Sequence, residues 1–237
     1  AVAGRVWPAA PYRDLPAAAS VRRILFVRVN YRIGNTVLAT ALLPALRARF
    51  PQAVIDVLAA DSTAGLLDGL GFGRVHRVSR RFLRTPWRAL GLLREIRRER
   101  YDLAVDGGMG SYSGTLYAWL SGARDRLGRA GSRFLTTGLP LPRSRNVYET
   151  APLVKEALGV EAPAWPLYQI TEAEAAQARS ILREFGLEHD GATIPFVGVF
   201  TGGHQEKRWP RAHWFELLDR LDHEGIPTVV LVGPEER

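Results

Sequence analysis

The stretch from Phe196 to Pro210, FVGVFTGGHQEKRWP, decides how this chain is read. It opens on an uninterrupted apolar run, Phe196-Val197-Gly198-Val199-Phe200, the pattern of a strand covered on both faces. A polar loop follows with the pair Gly202-Gly203 and a lysine, Lys207. Trp209-Pro210 then begins a helical pattern, where a proline loses nothing by lacking an N–H. The unit is strand, glycine loop, helix. Glycines let the backbone approach a ligand closely. The unpaired N–H groups and positive dipole end of a helix start attract an anion, and Lys207 adds a full charge of the same sense. A phosphate or diphosphate fits such a loop. The plainer alternative is an ordinary β–α turn carrying a surface lysine.

Outward from this stretch the chain alternates strand and helix. Arg23–Val29, Val54–Ala59, Val75–Val78, Tyr101–Asp106 and Arg124–Gly128 read as strands. Asn35–Phe50, Ser62–Leu70, Pro86–Arg100, Tyr112–Ser121 and Asn146–Leu158 read as helices. In Pro86–Arg100 the spacing predicts an inner stripe of Trp87, Leu90, Leu93 and Ile96. Past the boundary signal Pro163–Pro166, Thr171 with Glu174 forms a capping box. The helix it opens has apolar positions Ala175, Ala178, Ile181, Leu182 and Phe185. A helix from Pro210 to Glu224 and a strand from Ile226 to Val232 complete the pattern. Short loops between alternating elements argue a parallel sheet covered by helices.

Composition narrows the class. The chain has 237 residues, 46% of them hydrophobic, enough for one large domain or two ordinary ones. No run of about 20 apolar residues offers a bilayer span, and Ala1–Ser20 lacks the apolar centre of a signal peptide. Without cysteine there is neither a disulfide framework nor a thiolate metal site, which accords with a cytoplasmic protein. The sole methionine is Met109, so the amino end is expected to be processed or the chain to be a piece.

The net charge of +8 is concentrated rather than spread. Arg74 to Arg100 holds ten arginines against Glu95 and Glu99. Three readings stay open for this window: a solvated helix face, contact with anionic membrane or an acidic lipid-linked acceptor, and nucleic acid. Few interleaved aromatics and no nucleic-acid module argue against the last.

Two blocks carry a family resemblance. One is Thr201-Gly202-Gly203 with Lys207-Arg208-Trp209-Pro210 and the strand Ile226–Val232 ending in Gly233-Pro234-Glu235. The other is Ile24–Arg28 with Ile33-Gly34-Asn35-Thr36-Val37-Leu38-Ala39-Thr40, Pro44 and Leu46–Pro51. Together they resemble the family 9 glycosyltransferases, the ADP-heptose:lipopolysaccharide heptosyltransferases. The resemblance implies a GT-B arrangement of two Rossmann-like α/β domains with parallel sheets. Residues 1–20 would be a loose arm, 21–165 the acceptor domain, and 166–237 an incomplete nucleotide-sugar domain. The family's Asp-Thr-Gly loop does not occur in the chain as written.

The same resemblance implies inverting transfer of a sugar, a heptose, from a nucleotide diphosphate to a lipopolysaccharide-core or related glycan acceptor. The donor, ADP-heptose, is a substrate; no cofactor or metal is implied. Thr201, Gly202 and Gly203 would touch the diphosphate, Lys207 would neutralise it as charge builds on the leaving group, and Glu235 would lie near the nucleoside. Gly34 and Asn35 would face the acceptor. The family commonly has Gly-Asp where this chain has Gly34-Asn35, and that Asp is its base. An amide can orient a hydroxyl but cannot take its proton.

Asn35 therefore leaves several readings: an acceptor-positioning group beside another carboxylate, first Asp106; a branch with a different base; lost transfer activity; or simply a helix cap. For Asp106 the plainer role is a turn former. The rival of another class is a non-catalytic nucleotide- or phosphoglycan-binding module. The expected location is cytoplasmic, with peripheral contact at the inner membrane through the arginine window.

Overall fold

In the first strand, β1 (Arg23–Arg28), Ile24 and Phe26 point to one side and Leu25 and Val27 to the other, and all four are buried. This is the signature of a strand with helices on both faces. The structure, a computed structural model, describes residues 12–79, 86–142, 148–202 and 209–232. The chain divides into two compact units, Ala1–Gln169 and Ile170–Arg237.

The first unit is built on a six-stranded, wholly parallel sheet. Its strands are β1, β2 (Val54–Ala60), β3 (Val75–Val78), β4 (Leu103–Asp106), β5 (Asp125–Arg129) and β6 (Thr137–Leu139), the last not foreseen from sequence. They lie in the order β3-β2-β1-β4-β5-β6. The chain builds outward from β1 to β3, then crosses back to place β4 on the other side of β1. In such doubly wound sheets ligands bind beyond the carboxyl ends of the strands, at the point where the order reverses. Here that point lies between β1 and β4, whose register pairs Val27 with Asp106.

One face of the sheet is covered by α1 (Ile33–Ala39), α2 (Leu43–Arg49) and α5 (Ala151–Ala157), which supply Ala39, Leu43, Leu46 and Val154 to a core shared with Ile24, Phe26 and Val57. The other is covered by α3 (Pro86–Arg98) and α4 (Tyr112–Leu120), with Ile96 and Ala118 against Leu25, Val27 and Leu58. Each large side chain so buried contributes about 1.5–3 kcal/mol.

The sequence pattern suggests one helix over Asn35–Phe50, but the structure has α1, a 3-10 turn at Thr40–Leu42, then α2. Pro44 explains the break, because its ring cannot sit against the carbonyl four residues earlier. The Thr40 hydroxyl bonds the Leu167 carbonyl at 2.9 Å and accepts the Leu167 N–H at 2.6 Å, tying the end of this unit to the break. Ser62–Leu70 is likewise only a 3-10 turn, Ala64–Leu67.

At the amino-terminal end of the sheet, away from the switch point, a polar network is buried. The Tyr101 hydroxyl donates to Asp56 at 2.7 Å and lies 2.9 Å from His76 Nε2, while His76 Nδ1 lies 2.9 Å from Glu95. Arg23 bridges Asp56 at 2.8 Å and Glu99 at 2.6 Å. Burial, with the Asp56 carboxylate beside it, pushes the Tyr101 phenol well above its ordinary range.

The α3 stripe is a correction. Ile96 is buried and Leu93 partly so, but Trp87 is 70% exposed and Leu90 47%. Each step of three residues falls about 60° short of a full turn, so the row that starts inward at Ile96 has reached the opposite side of the helix by Trp87.

The second unit holds α6 (Glu172–Glu184), a short antiparallel hairpin of β7 (Glu188–His189) and β8 (Ala192–Thr193), then β9 (Val197–Phe200), α7 (Arg211–His223) and β10 (Thr228–Leu231). The expected capping box opens α6, with Thr171 accepting from the Glu174 N–H and Glu174 from the Thr171 N–H. The hairpin turns on Asp190-Gly191, both with positive φ, as a two-residue turn requires. β9 and β10 pair in parallel across α7. The α6 stripe departs from expectation: Ile181 and Phe185 are exposed, and no residue of α6 is buried.

Candidate functional site

Two loops frame the switch point. After β1, Asn30 organises the turn into α1. Its side-chain oxygen accepts the Arg32 N–H at 2.8 Å, and its carbonyl accepts the hydroxyls of Thr63 at 3.0 Å and Thr36 at 3.3 Å. The β1 loop is thereby tied to the loop after β2. Arg32 is the helix cap, without a side-chain bond, and Asn35 sits in the first turn of α1. The cap reading of Asn35 is thus set aside. Its backbone carbonyl accepts from Arg28 Nη2 at 2.6 Å and Nε at 3.1 Å. Its side-chain amide is half-buried and has no hydrogen-bond partner among the described residues. Gly34, beside it, is exposed with nothing within 4 Å of where a Cβ would stand.

After β4 the chain runs Asp106-Gly107-Gly108-Met109-Gly110-Ser111 into α4. The Asp106 carboxylate gathers this loop. One oxygen accepts from the Gly108 N–H at 2.9 Å, the other from Gly110 at 2.7 Å and Ser111 at 3.0 Å. Ser111 then caps α4 by accepting the Gly114 N–H at 3.2 Å. Asp106 is fully buried. Burial pushes its carboxyl up, against the pull of the three N–H groups and of the Arg28 guanidinium. Arg28 is itself buried, which lowers its guanidinium while Asp106 pulls it back.

The fit around Asp106 is tight. A Cβ at Gly114 would stand 2.0 Å from its Oδ1, and one at Gly107 2.6 Å from the Phe26 ring. Met109 holds a φ of 44°, a left-handed backbone uncommon for a side-chain-bearing residue and often kept where a loop must hold one shape.

These contacts give Asp106 a different task from the one the sequence suggested. In this structure both oxygens are engaged and none of its surface is exposed, so it does not present a carboxylate to an attacking hydroxyl, which needs one in hydrogen-bond reach. It holds the loop instead. An exposed carboxylate on this edge is Asp61, one residue past β2, with Oδ1 accepting the Ser62 N–H at 3.0 Å. Arg28, Asn30 and Asp61 were not picked out as site residues in the sequence. An arginine closing an otherwise apolar strand was the available signal, because such a residue stays buried only when paired.

In the second unit, Thr201 follows β9, its N–H 3.4 Å and its hydroxyl 3.5 Å from the Leu231 carbonyl. Gly202 packs on the Phe200 ring, where a Cβ would fall at 2.6 Å. Gly203, Lys207 and Glu235 lie outside the described residues. Trp209 stacks on His213 at 5.3 Å and meets Trp214 edge-on at 4.9 Å. Pro210 is the residue before α7, whose first turn carries no acidic side chain to compete for an anion. Among the described residues no group of three or more His, Asp or Glu could hold a metal ion.

Comparison with known proteins bears on both units. The curated "Lipopolysaccharide heptosyltransferase 2" of Escherichia coli (strain K12) is 28% identical over 230 residues, 85% of this chain and 60% of that protein. The chain thus spans less than two thirds of the length of that relative. The solved glycosyl transferase family 9 protein from Veillonella parvula superposes with a TM-score of 0.74 at 21% identity, covering 90% of this chain and 63% of that one. The E. coli ADP-heptose lps heptosyltransferase II gives 0.66 at 24%, covering 90% and 65%. These likenesses establish the α/β fold of the GT-B class. The family model for glycosyltransferase family 9 (heptosyltransferase) matches residues 89–237, from α3 through the glycine loop to the last residue, and the chain belongs to that family.

Proposed function

We propose that the protein to which this chain belongs transfers a sugar, a heptose, from an ADP-linked donor to a lipopolysaccharide-core or related glycan acceptor, with inversion. The observation that carries the reading is the parallel β9-α7-β10 unit, whose intervening loop holds Thr201, Gly202, Gly203 and Lys207 within the family match. A related protein is named for ADP-heptose and lipopolysaccharide, which supplies the donor and acceptor class.

In this reading the donor diphosphate lies on the glycine loop. Thr201 and the loop N–H groups bond its oxygens, Lys207 neutralises the charge that grows as the glycosidic bond breaks, and Glu235 contacts the nucleoside. The acceptor enters over the carboxyl ends of β1, β2 and β4, beside Gly34. Asn35 accepts a hydrogen bond from the attacking hydroxyl and orients it. The proton passes to a carboxylate, for which we name Asp61, exposed directly after β2. Asp106 and Arg28 keep the two loops in place. The protein works in the cytoplasm on a lipid-linked acceptor.

A ligand that binds only the folded protein raises its melting temperature. ADP or an ADP-sugar should raise it for the full-length protein, UDP and GDP sugars less so, and Lys207→Ala should remove the shift. No response to any nucleotide, or an unchanged shift in Lys207→Ala, rejects the donor assignment. In a transfer assay Asn35→Asp should raise kcat and Asp61→Asn lower it. An Asp61→Asn protein as fast as the parent removes Asp61 from the scheme.

A further inference from the structure

We infer that the outward face of α3 docks this protein on an anionic lipid bilayer. Ile96 faces the sheet. At about 100° per residue, Trp87, Leu90, Gly91, Arg94 and Arg98 then fall within roughly 100° of one another on the opposite side. All five are exposed. An exposed indole and an exposed leucine near the start of the helix, with arginines along the rest of the same stripe, make an amphipathic surface of the interfacial kind. The indole suits the boundary between headgroups and acyl chains. The arginines suit phosphate headgroups, which they bond in pairs.

The acids of this helix do not cancel that charge. Glu95 is turned to the buried His76, and Glu99 to Arg23 and Arg74. Arg97 is drawn aside to the Leu120 carbonyl at 2.9 Å. Arg88, Arg94 and Arg98 have no acidic partner among the described residues. A helix whose carboxylates are engaged by His76, Arg23 and Arg74 while its arginines face outward is complementary to a negative surface. Among the described residues no helix is long and apolar enough to cross a membrane, so the contact is one of lying on the surface.

The inference gives a physical form to the lipid-linked acceptor of the preceding section. It is tested without any nucleotide sugar, so the two readings fail separately. The full-length protein is sedimented with vesicles of phosphatidylcholine alone and of phosphatidylcholine mixed with phosphatidylglycerol, at low and high salt. Binding should require the anionic lipid and weaken with salt. Removing one arginine should cost about fivefold in partitioning, and Arg94→Glu with Arg98→Glu far more. Trp87→Ser with Leu90→Ser should also release the protein while its melting temperature and its shift with ADP stay unchanged. Brominated lipid should quench the tryptophan fluorescence of the parent and not that of Trp87→Phe.

Equal binding to both vesicles overturns the inference. So does a Trp87→Ser, Leu90→Ser protein that sediments like the parent, or retention on RNA with no retention on vesicles.

Discussion

Two apolar runs that look alike in sequence behave differently in the two units. In β1, Ile24 to Val27 are buried without exception, because α1, α2 and α5 lie on one face and α3 and α4 on the other. In β9, Val199 alone is buried and Phe200 is 64% exposed. Among the described residues the second sheet has two strands with one helix crossing between them, and these do not cover both of its faces. An apolar run states what a strand requires of its surroundings. Whether the requirement is met depends on the number of layers around it.

That contrast can be broken by mutation. Leu25→Ala should cost about 2–5 kcal/mol in urea denaturation, the usual range for emptying a fully buried leucine site, whereas Phe200→Ala should cost less than about 1 kcal/mol. Equal losses would mean that β9 is as well covered as β1. Next in size is Asp106→Ala. It strands three N–H groups and leaves Arg28 buried without its counter-charge, so a loss of about 3 kcal/mol is expected. Hydrogen exchange should then quicken at Gly108, Gly110 and Ser111, while the thermal shift with ADP persists if the second unit carries the donor loop.

Tyr101→Phe should cost about 1–3 kcal/mol by stripping Asp56 and His76 of a partner at the far end of the first sheet. A neutral result there would show that water replaces the hydroxyl. A smaller effect than these, about 1 kcal/mol, belongs to Thr171→Ala, which removes the cap of α6. Because α6 buries no residue, that loss should appear as local fraying seen by hydrogen exchange, ahead of any change in the first unit.

The fold was legible where a local rule and the tertiary layers agree. The strands from Arg23, Val54 and Val75, and Thr171 with Glu174, follow directly from apolar runs and caps. The reading failed where a local detail overrides the apparent period. Pro44 splits a helix whose apolar spacing is unbroken, and the strict three-residue row from Ile96 back to Trp87 turns to the opposite side of α3. Asp190-Gly191 was a readable hairpin signal that flanking strands of two residues made easy to pass over.

The candidate site was less legible than the fold. Asn35 and Gly34 could be named from their motif, and both lie at the switch point. What Asp106 does depends on N–H groups two to five residues ahead of it folding back, which no spacing rule reveals. Asn30 is hidden for a similar reason, since the hydroxyls that seek its carbonyl come from Thr36 and Thr63, on either side of β2.

The 2.0 Å that separates Asp106 Oδ1 from the empty place of a Gly114 side chain links the fates of two codons. A methyl group at position 114 has room only after position 106 has shrunk, and a shrunken position 106 has lost the acceptor that shapes the loop. Room at position 114 is gained only by giving up the loop that position 106 holds. Among functional descendants of this chain, the pair should therefore stay frozen while the exposed residues around it drift.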